Sequence, residues 1–289
     1  MAQDKYNAVW VSHSSMGDYI KCPRAYYLHN IYKDPKTKRK MNIVNPALAL
    51  GISVHEAVEG LAQFKTEDRF KKPLKESFEK AWKKVEGKWG GFKNKEEERE
   101  TKERALAMIE RVEKNPGPLF EKTVKIKEGN NGMPPNFYLS EEDNIILCGK
   151  IDWLIYKPED DSVHILDFKT GKNEEKENSL QLPIYSLLLK HLQKRKVTGA
   201  SYWYLDRDDE PIEVTLPDLD EAFERVSTIA YQIKEARERA AIEGPQEVFK
   251  CPNGERGCFS CIPFEKILRG EATYVGVGEM RQDVYMLEK

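Results

Sequence analysis

The sequence is short of cysteine, of long apolar runs and of net charge, and each shortage excludes a class of protein. Five cysteines in 289 residues are too sparse, and too odd in number, for a secreted disulfide framework, so a reducing, cytoplasmic setting is expected. No apolar stretch approaches the roughly 18 residues that a bilayer requires. The N-terminal MAQDKYNAVW lacks a basic region followed by an apolar one, so neither a membrane span nor a signal peptide is expected. The 47 basic and 49 acidic residues cancel to a formal net charge of -2, and global charge therefore does not mark a nucleic-acid binder. Internal repeats and low-complexity linkers are absent as well. Thr170-Gly171-Lys172 has no glycine-rich phosphate loop before it, which excludes a nucleotide hydrolase of that type. Lys169-Thr170-Gly171 lacks the companion S-D-N element of penicillin-recognising enzymes.

What is present is strongly patterned. Ser14 and Ser15 are placed to cap a helix, with Asp18 following, and the spacing predicts a helix over 16–32 bent at Pro23. Residues 21–40 hold seven basic side chains against one acid, Asp34, a local concentration suited to phosphates, with Arg24 and Lys38 as candidate contacts. From Ala47 to Phe64, Leu50, Val54, Val58 and Leu61 recur at three and four residues, predicting an amphipathic helix with His55 beside its stripe. Residues 65–115 read as a helical arm, with Leu74, Phe78, Trp82, Val85 and Trp89 on one stripe and Leu106, Ile109 and Val112 on a second. Strands are expected at 121–127, 144–156, 163–169, 200–205 and 211–216, and helices near 178–194 and 218–242. The pattern predicts an α/β protein with one domain over 1–270, including the insertion 65–115 and a cysteine-bearing segment 248–270, and an unpatterned C-terminal tail, 271–289.

The stretch Asn144 to Lys172 carries the chemistry. Two apolar runs flank a polar loop, Lys157 to Ser162, which predicts a hairpin. If Tyr156 pairs with Val163, then Asp152 falls opposite Asp167, and period-two alternation puts Lys169 on the same face. Trp153, Leu166 and Phe168 then point the other way, so both faces are expected to be covered. Opposed carboxylates repel. A divalent cation with oxygen ligands offsets that repulsion and accepts a phosphate oxygen, and Lys169 beside it can hold a water and steady developing negative charge. The plain alternative is two solvated aspartates and a lysine paired with one of them. His55 by itself reads as an edge histidine, and Gln181 and Tyr185, four apart on one helical face, as packing.

In order, Tyr19-Ile-Lys-Cys-Pro-Arg-Ala-Tyr-Tyr-Leu28, Gly51-Ile-Ser-Val-His55, Gly149-Lys-Ile-Asp152, Asp167-Phe-Lys169 and Gln181-Leu-Pro-Ile-Tyr185 resemble the RecB-like branch of the PD-(D/E)XK nuclease superfamily. The resemblance implies a restriction-endonuclease-like core, a central mixed β-sheet flanked by helices. It implies a metal-dependent deoxyribonuclease, acting as an exonuclease on single-stranded or end-frayed DNA, with Mg²⁺ or Mn²⁺ held by His55, Asp152, Asp167 and the Phe168 carbonyl. Lys169 would be the catalytic lysine, and Gln181 and Tyr185 would hold the DNA strand. Unwinding would need a helicase or a recombination or adaptation partner, since the chain has no helicase motif. The alternative is a DNA-binding or assembly module on the same fold that no longer cuts. Cys22 with Cys251, Cys258 and Cys261 resembles the arrangement in AddB-type and CRISPR-associated nucleases that carry a [4Fe-4S] cluster. The C-x6-C-x2-C order differs from theirs, and Zn²⁺ on the same four sulfurs is the rival. Cys148, within an apolar run, reads as a core residue.

Overall fold

A computed structural model describes residues 7–129 and 133–287. Strand β1 (Val9–Val11) leads into helix α1 (His13–Lys21), whose cap is Ser12 rather than Ser14 or Ser15. The Ser12 hydroxyl accepts from the Ser15 N–H at 3.3 Å and the Ser15 hydroxyl accepts from the Ser12 N–H at 2.9 Å, a reciprocal capping box. Asp18, free of that duty, accepts from Asn30 at 3.0 Å and contacts His29 at 2.8 Å. The expected helix to residue 32 is broken at Cys22, which is extended at φ -165, because a residue before proline avoids the helical region. Pro23 then starts α2 (Pro23–Tyr26), which runs into one π turn, Tyr27–Ile31.

Strand β2 (Met41–Val44) precedes α3 (Pro46–Glu59), capped by Asn45 with Pro46 at its first position. The arm forms α4 (Leu74–Trp82) and α5 (Lys95–Lys114), the latter with Glu96, Glu97 and Glu98 in its first turn and Arg111 and Lys114 in its last, each sign matched to the helix dipole. The stripe expected to reach Trp89 leaves the helix at Trp82 and continues as 3-10 turns. Next come β3 (Asn136–Ser140), β4 (Ile145–Cys148), β5 (Trp153–Lys157), β6 (Ser162–Lys169), α6 (Gln181–Leu192), β7 (Val197–Tyr204), β8 (Ile212–Val214) and α7 (Leu219–Glu243). Short helices α8 (Pro245–Val248) and α9 (Ile262–Leu268) precede β9 (Ala272–Val277) and β10 (Asp283–Leu287).

The core is a mixed sheet in the order β5-β6-β7-β8, antiparallel at β5–β6 and β7–β8 and parallel at β6–β7. One face, with Trp153, Leu166, Phe168 and Trp203, packs on Leu50, Val54, Phe78, Trp82, Met108 and Ile109 of α3, α4 and α5. The other, with Leu154, Val163, Ile165 and Ala200, packs on Ile184 and Leu188 of α6 and Val226, Ala230 and Ile233 of α7. The sheet is thus covered on both sides, as the apolar content of both its faces requires, and the fold is the expected restriction-endonuclease-like α/β arrangement. No described helix is long and apolar enough to cross a membrane.

Three further features differ from the sequence reading. The run 144–156 is not one strand: it leaves β4 at Cys148 and re-enters at Trp153, so β4 pairs with β1 and β3 in a second sheet. The break leaves Asp152 just outside the ladder. Residues 121–127 lie along β5, with the Val124 N–H on the Leu154 carbonyl at 2.9 Å and the Tyr156 N–H on the Lys122 carbonyl at 2.8 Å, but make only one isolated bridge, Thr123 with Ile155. The segment read as an unpatterned tail is a hairpin, β9–β10, whose second strand runs parallel to β2. Asp283, 1% exposed, anchors it by accepting from Thr37 and from Arg39 at 3.3 Å.

Truncating Leu188, fully buried between α6 and the sheet, should lower stability by about 2–5 kcal/mol. Denaturant unfolding of Leu188→Ala checks this, and an unchanged midpoint would contradict the layer assignment.

Candidate active site

The hairpin β5–β6 has the expected register: Tyr156 faces Val163, Lys157 faces Ser162, and the ladder reaches Trp153 opposite Leu166. One step beyond it, the Asp152 carboxylate turns across the strand end and accepts the Phe168 N–H at 3.0 Å. Asp167, 1% exposed, accepts from the Gln181 side-chain amide at 2.7 Å through Oδ1. Its Oδ2 lies 2.9 Å from Lys169 Nζ without a hydrogen-bonding angle to any partner. Lys169 Nζ also lies 2.9 Å from the Glu175 carboxylate, donates to the Gln181 side-chain carbonyl and stands 4.8 Å over the Tyr202 ring. Its position is therefore fixed by two carboxylates, an amide and an aromatic face.

Helix α3 brings His55 to the same place, its Nδ1 3.4 Å from Asp152 Oδ2 and 2.9 Å from Glu59 Oε1. Lys150 Nζ closes on the other Glu59 oxygen at 2.5 Å. Burial, and then the negative charge of Asp167, push the Asp152 carboxyl up to about 8. Burial lowers the His55 imidazole, but the Glu59 hydrogen bond and the Asp152 charge outweigh it and leave the imidazole raised. Lys169 behaves likewise: burial opposes its charge, while Asp167 and Glu175 raise it.

The donor set suits a hard divalent cation. Carboxylate oxygens and one imidazole are what Mg²⁺ or Mn²⁺ accept, the imidazole favouring Mn²⁺. The buried Asp167 Oδ2, held against the Lys169 ammonium at 2.9 Å, keeps lone-pair capacity that such an ion could share.

The structure thus brings together His55, Asp152, Asp167, Phe168, Lys169, Gln181 and Tyr185. Gln181 and Tyr185 are 9% and 6% exposed, and the Gln181 amide also donates to the Tyr185 hydroxyl at 3.1 Å. Their polar atoms face Asp167 and Lys169. Burial and the Asp167 charge raise the Tyr185 phenol well above its ordinary value, so it remains a neutral partner.

Arg24 and Lys38 are not part of this group. Arg24 pairs with Glu265 at 2.5 Å, near the cysteines, and Lys38 is exposed on a turn with φ 59. Two residues enter that sequence reasoning missed. Glu59 carried a signal, since it follows His55 by one helical turn. Glu175 carried none, being one of several acids in the run Glu174 to Glu177.

A second group of metal-ligating side chains lies apart from the first. The sulfurs of Cys22, Cys251, Cys258 and Cys261 are all within 4.8 Å of one another, with Cys258 and Cys261 at 3.8 Å, and Cys148 stays outside as a free thiol. Backbone N–H groups point at the sulfurs: Ala25 to Cys22 at 3.4 Å, Asn253 to Cys251 at 3.4 Å and Cys258 to Cys261 at 3.2 Å. Burial raises the Cys22 thiol, and burial with the neighbouring sulfurs lifts Cys261 to about 11. At Cys258 burial is opposed by the N–H groups of Cys261 and Ser260, which bring it down to about 7. Four crowded thiols with N–H support form a ready cradle for a thiophilic metal.

A family model described as the PD-(D/E)XK nuclease superfamily matches residues 10–262. None of the curated proteins matches the chain.

Protein purified anaerobically should carry metal at the cysteine site, and Cys22→Ser should lose it and unfold at a lower temperature, because Cys22 ties the N-terminal helices to the far end of the chain. Elemental analysis for iron, zinc and sulfide reads the first effect and calorimetry the second. A full metal complement in the variant would remove Cys22 from the site.

Proposed function

Because the chain belongs to the PD-(D/E)XK nuclease superfamily, we propose that it is a divalent-metal-dependent deoxyribonuclease that hydrolyses phosphodiester bonds, acting as an exonuclease on single-stranded or end-frayed DNA. The observation that carries the reading is Lys169 held against buried Asp167 beside Asp152 and His55. His55, Asp152, Asp167 and the Phe168 carbonyl would hold the cation. When bound, that cation supplies Lewis acidity, lowering the pKa of a water and offsetting charge on the phosphate. Lys169 orients the attacking water and steadies the negative charge that develops on the phosphate oxygens. Asp167 and Glu175 keep its ammonium charged and in place, while Gln181, fixed through Tyr185, aligns the Asp167 carboxylate with it. The exposed basic loop around Lys38 is the proposed contact to the DNA backbone, where a cationic side chain positions without reading sequence.

For the cysteine site the resemblance supports a [4Fe-4S] cluster, while the sulfur spacing supports zinc as a second reading. A tetrahedral ion with arms of about 2.3 Å has sulfur–sulfur edges of about 3.8 Å, close to the Cys258–Cys261 separation. A cubane places an iron inside each sulfur and would have to spread the four apart.

Lys169→Ala and Asp167→Ala should each lower cleavage of end-labelled DNA in Mg²⁺ or Mn²⁺ by about 10²-fold or more, with DNA retention in a gel shift little changed. Unchanged cleavage in either variant sinks the assignment. DNA binding without cutting by the unaltered protein would transfer support to the non-catalytic module.

A further inference from the structure

We propose that Glu59 ligates the divalent cation, and that the cation's first position lies on the α3 side of the site, between His55, Glu59 and Asp152. This rests on the metal-dependent reading above and adds to it a ligand that no sequence motif supplied.

The geometry is preformed. One ligand atom from each of His55, Glu59 and Asp152 falls within 4.8 Å of the others, and the contacts from His55 Nδ1 are 2.9 Å to Glu59 and 3.4 Å to Asp152. An octahedral cation with arms of about 2.1 Å sets neighbouring ligands about 3.0 Å apart, so these side chains can close on one ion with small adjustments. Asp167 is outside this trio: Oδ1 is taken by Gln181, and Oδ2 faces Lys169.

The local electrostatics ask for a cation at this point. Glu59 is the last α-helical residue of α3, which runs on as one 3-10 turn, Gly60–Gln63, and neither has a basic residue in its final turn. A carboxylate at the negative end of a helix dipole is disfavoured, whereas a cation there is favoured. The Glu59 side chain is only 11% exposed and faces a second buried carboxylate across the imidazole. Lys150 supplies positive charge at Oε2, but its side chain is 71% exposed, so it can swing out when an ion arrives. A cavity of about 420 Å³ lined by Glu56, Glu59, Lys150 and Asp152 opens on these oxygens and gives a hydrated ion its approach.

The competing account makes Glu59 a hydrogen-bond partner that merely orients His55 and pairs with Lys150. Manganese binding to DNA-free protein separates the two, followed by calorimetry and by the electron paramagnetic resonance of free Mn²⁺. Glu59→Ala and the near-isosteric Glu59→Gln, checked for a native circular dichroism spectrum, should each bind Mn²⁺ at least tenfold more weakly, while Lys150→Ala, which removes the ammonium that competes for Glu59, binds it no more weakly than the unaltered protein. Wild-type affinity in Glu59→Gln overturns the proposal, because the amide keeps the hydrogen bond and loses only the charged ligand. Loss of Mn²⁺ in Asp167→Ala with retention in Glu59→Gln overturns it too, placing the ion between the two aspartates. These results leave the nuclease reading standing. No Mn²⁺ uptake by the unaltered protein, with no cleavage, would instead remove the metal-dependent reading itself.

Discussion

Two carboxylates brought together at the end of a buried hairpin are the constraint around which the structure is arranged. The register of β5 and β6 places Asp152 and Asp167 at neighbouring positions, and the covered sheet denies Asp167 the water that would screen it. Like charges so placed repel. The surrounding elements answer that repulsion from three directions: Lys169 from the same strand, Gln181 and Tyr185 from α6, and His55 from α3. A single added cation would relieve the rest. The same burial that makes the site costly for an unpaired charge would favour the binding of a compensating cation.

The helical arm contributes to the site without entering it. With α3, helices α4 and α5 seal the face of the sheet that carries Trp153 and Phe168, and α3 can then present His55 and Glu59 at the sheet edge. Arg104 of α5 reaches back to Asp206 at 2.9 Å and to the Thr170 carbonyl at 3.0 Å, just after the lysine. At the opposite end of the chain, Cys22 interrupts the N-terminal helix and joins Cys251, Cys258 and Cys261, while β10 pairs with β2. Both contacts are long-range, and both fix the segment that leads into α3.

Much of this was legible because it is local. Two apolar runs, 153–156 and 163–168, around a short polar loop fixed the hairpin register, and the three-and-four spacing of Leu50, Val54, Val58 and Leu61 marked α3. The break at 149–152 was not legible, since Gly149-Lys150-Ile151-Asp152 is short enough to pass as part of one strand between two apolar runs; the strand leaves one sheet for another where the glycine backbone passes close to Leu188. Nor was the β9–β10 hairpin, whose partner strand lies more than two hundred residues earlier, beyond the reach of periodicity. The capping serine was misplaced because three serines stand within four positions and only backbone geometry selects Ser12. Around the site, Asp152, Asp167 and Lys169 stood out through register, whereas Glu175 is recruited by the tertiary position of its loop. Cysteine spacing points to a cluster that could hold a metal but not to which metal, because zinc and iron–sulfur clusters share the same donors.

Anomalous diffraction from crystals grown with Mn²⁺ tests the central claim most directly. The account predicts a manganese peak about 2.2 Å from the Asp152 carboxylate and the His55 ring, with Lys169 still held at Asp167. A fully ordered site with no peak there, or manganese bound only elsewhere on the protein, would contradict it.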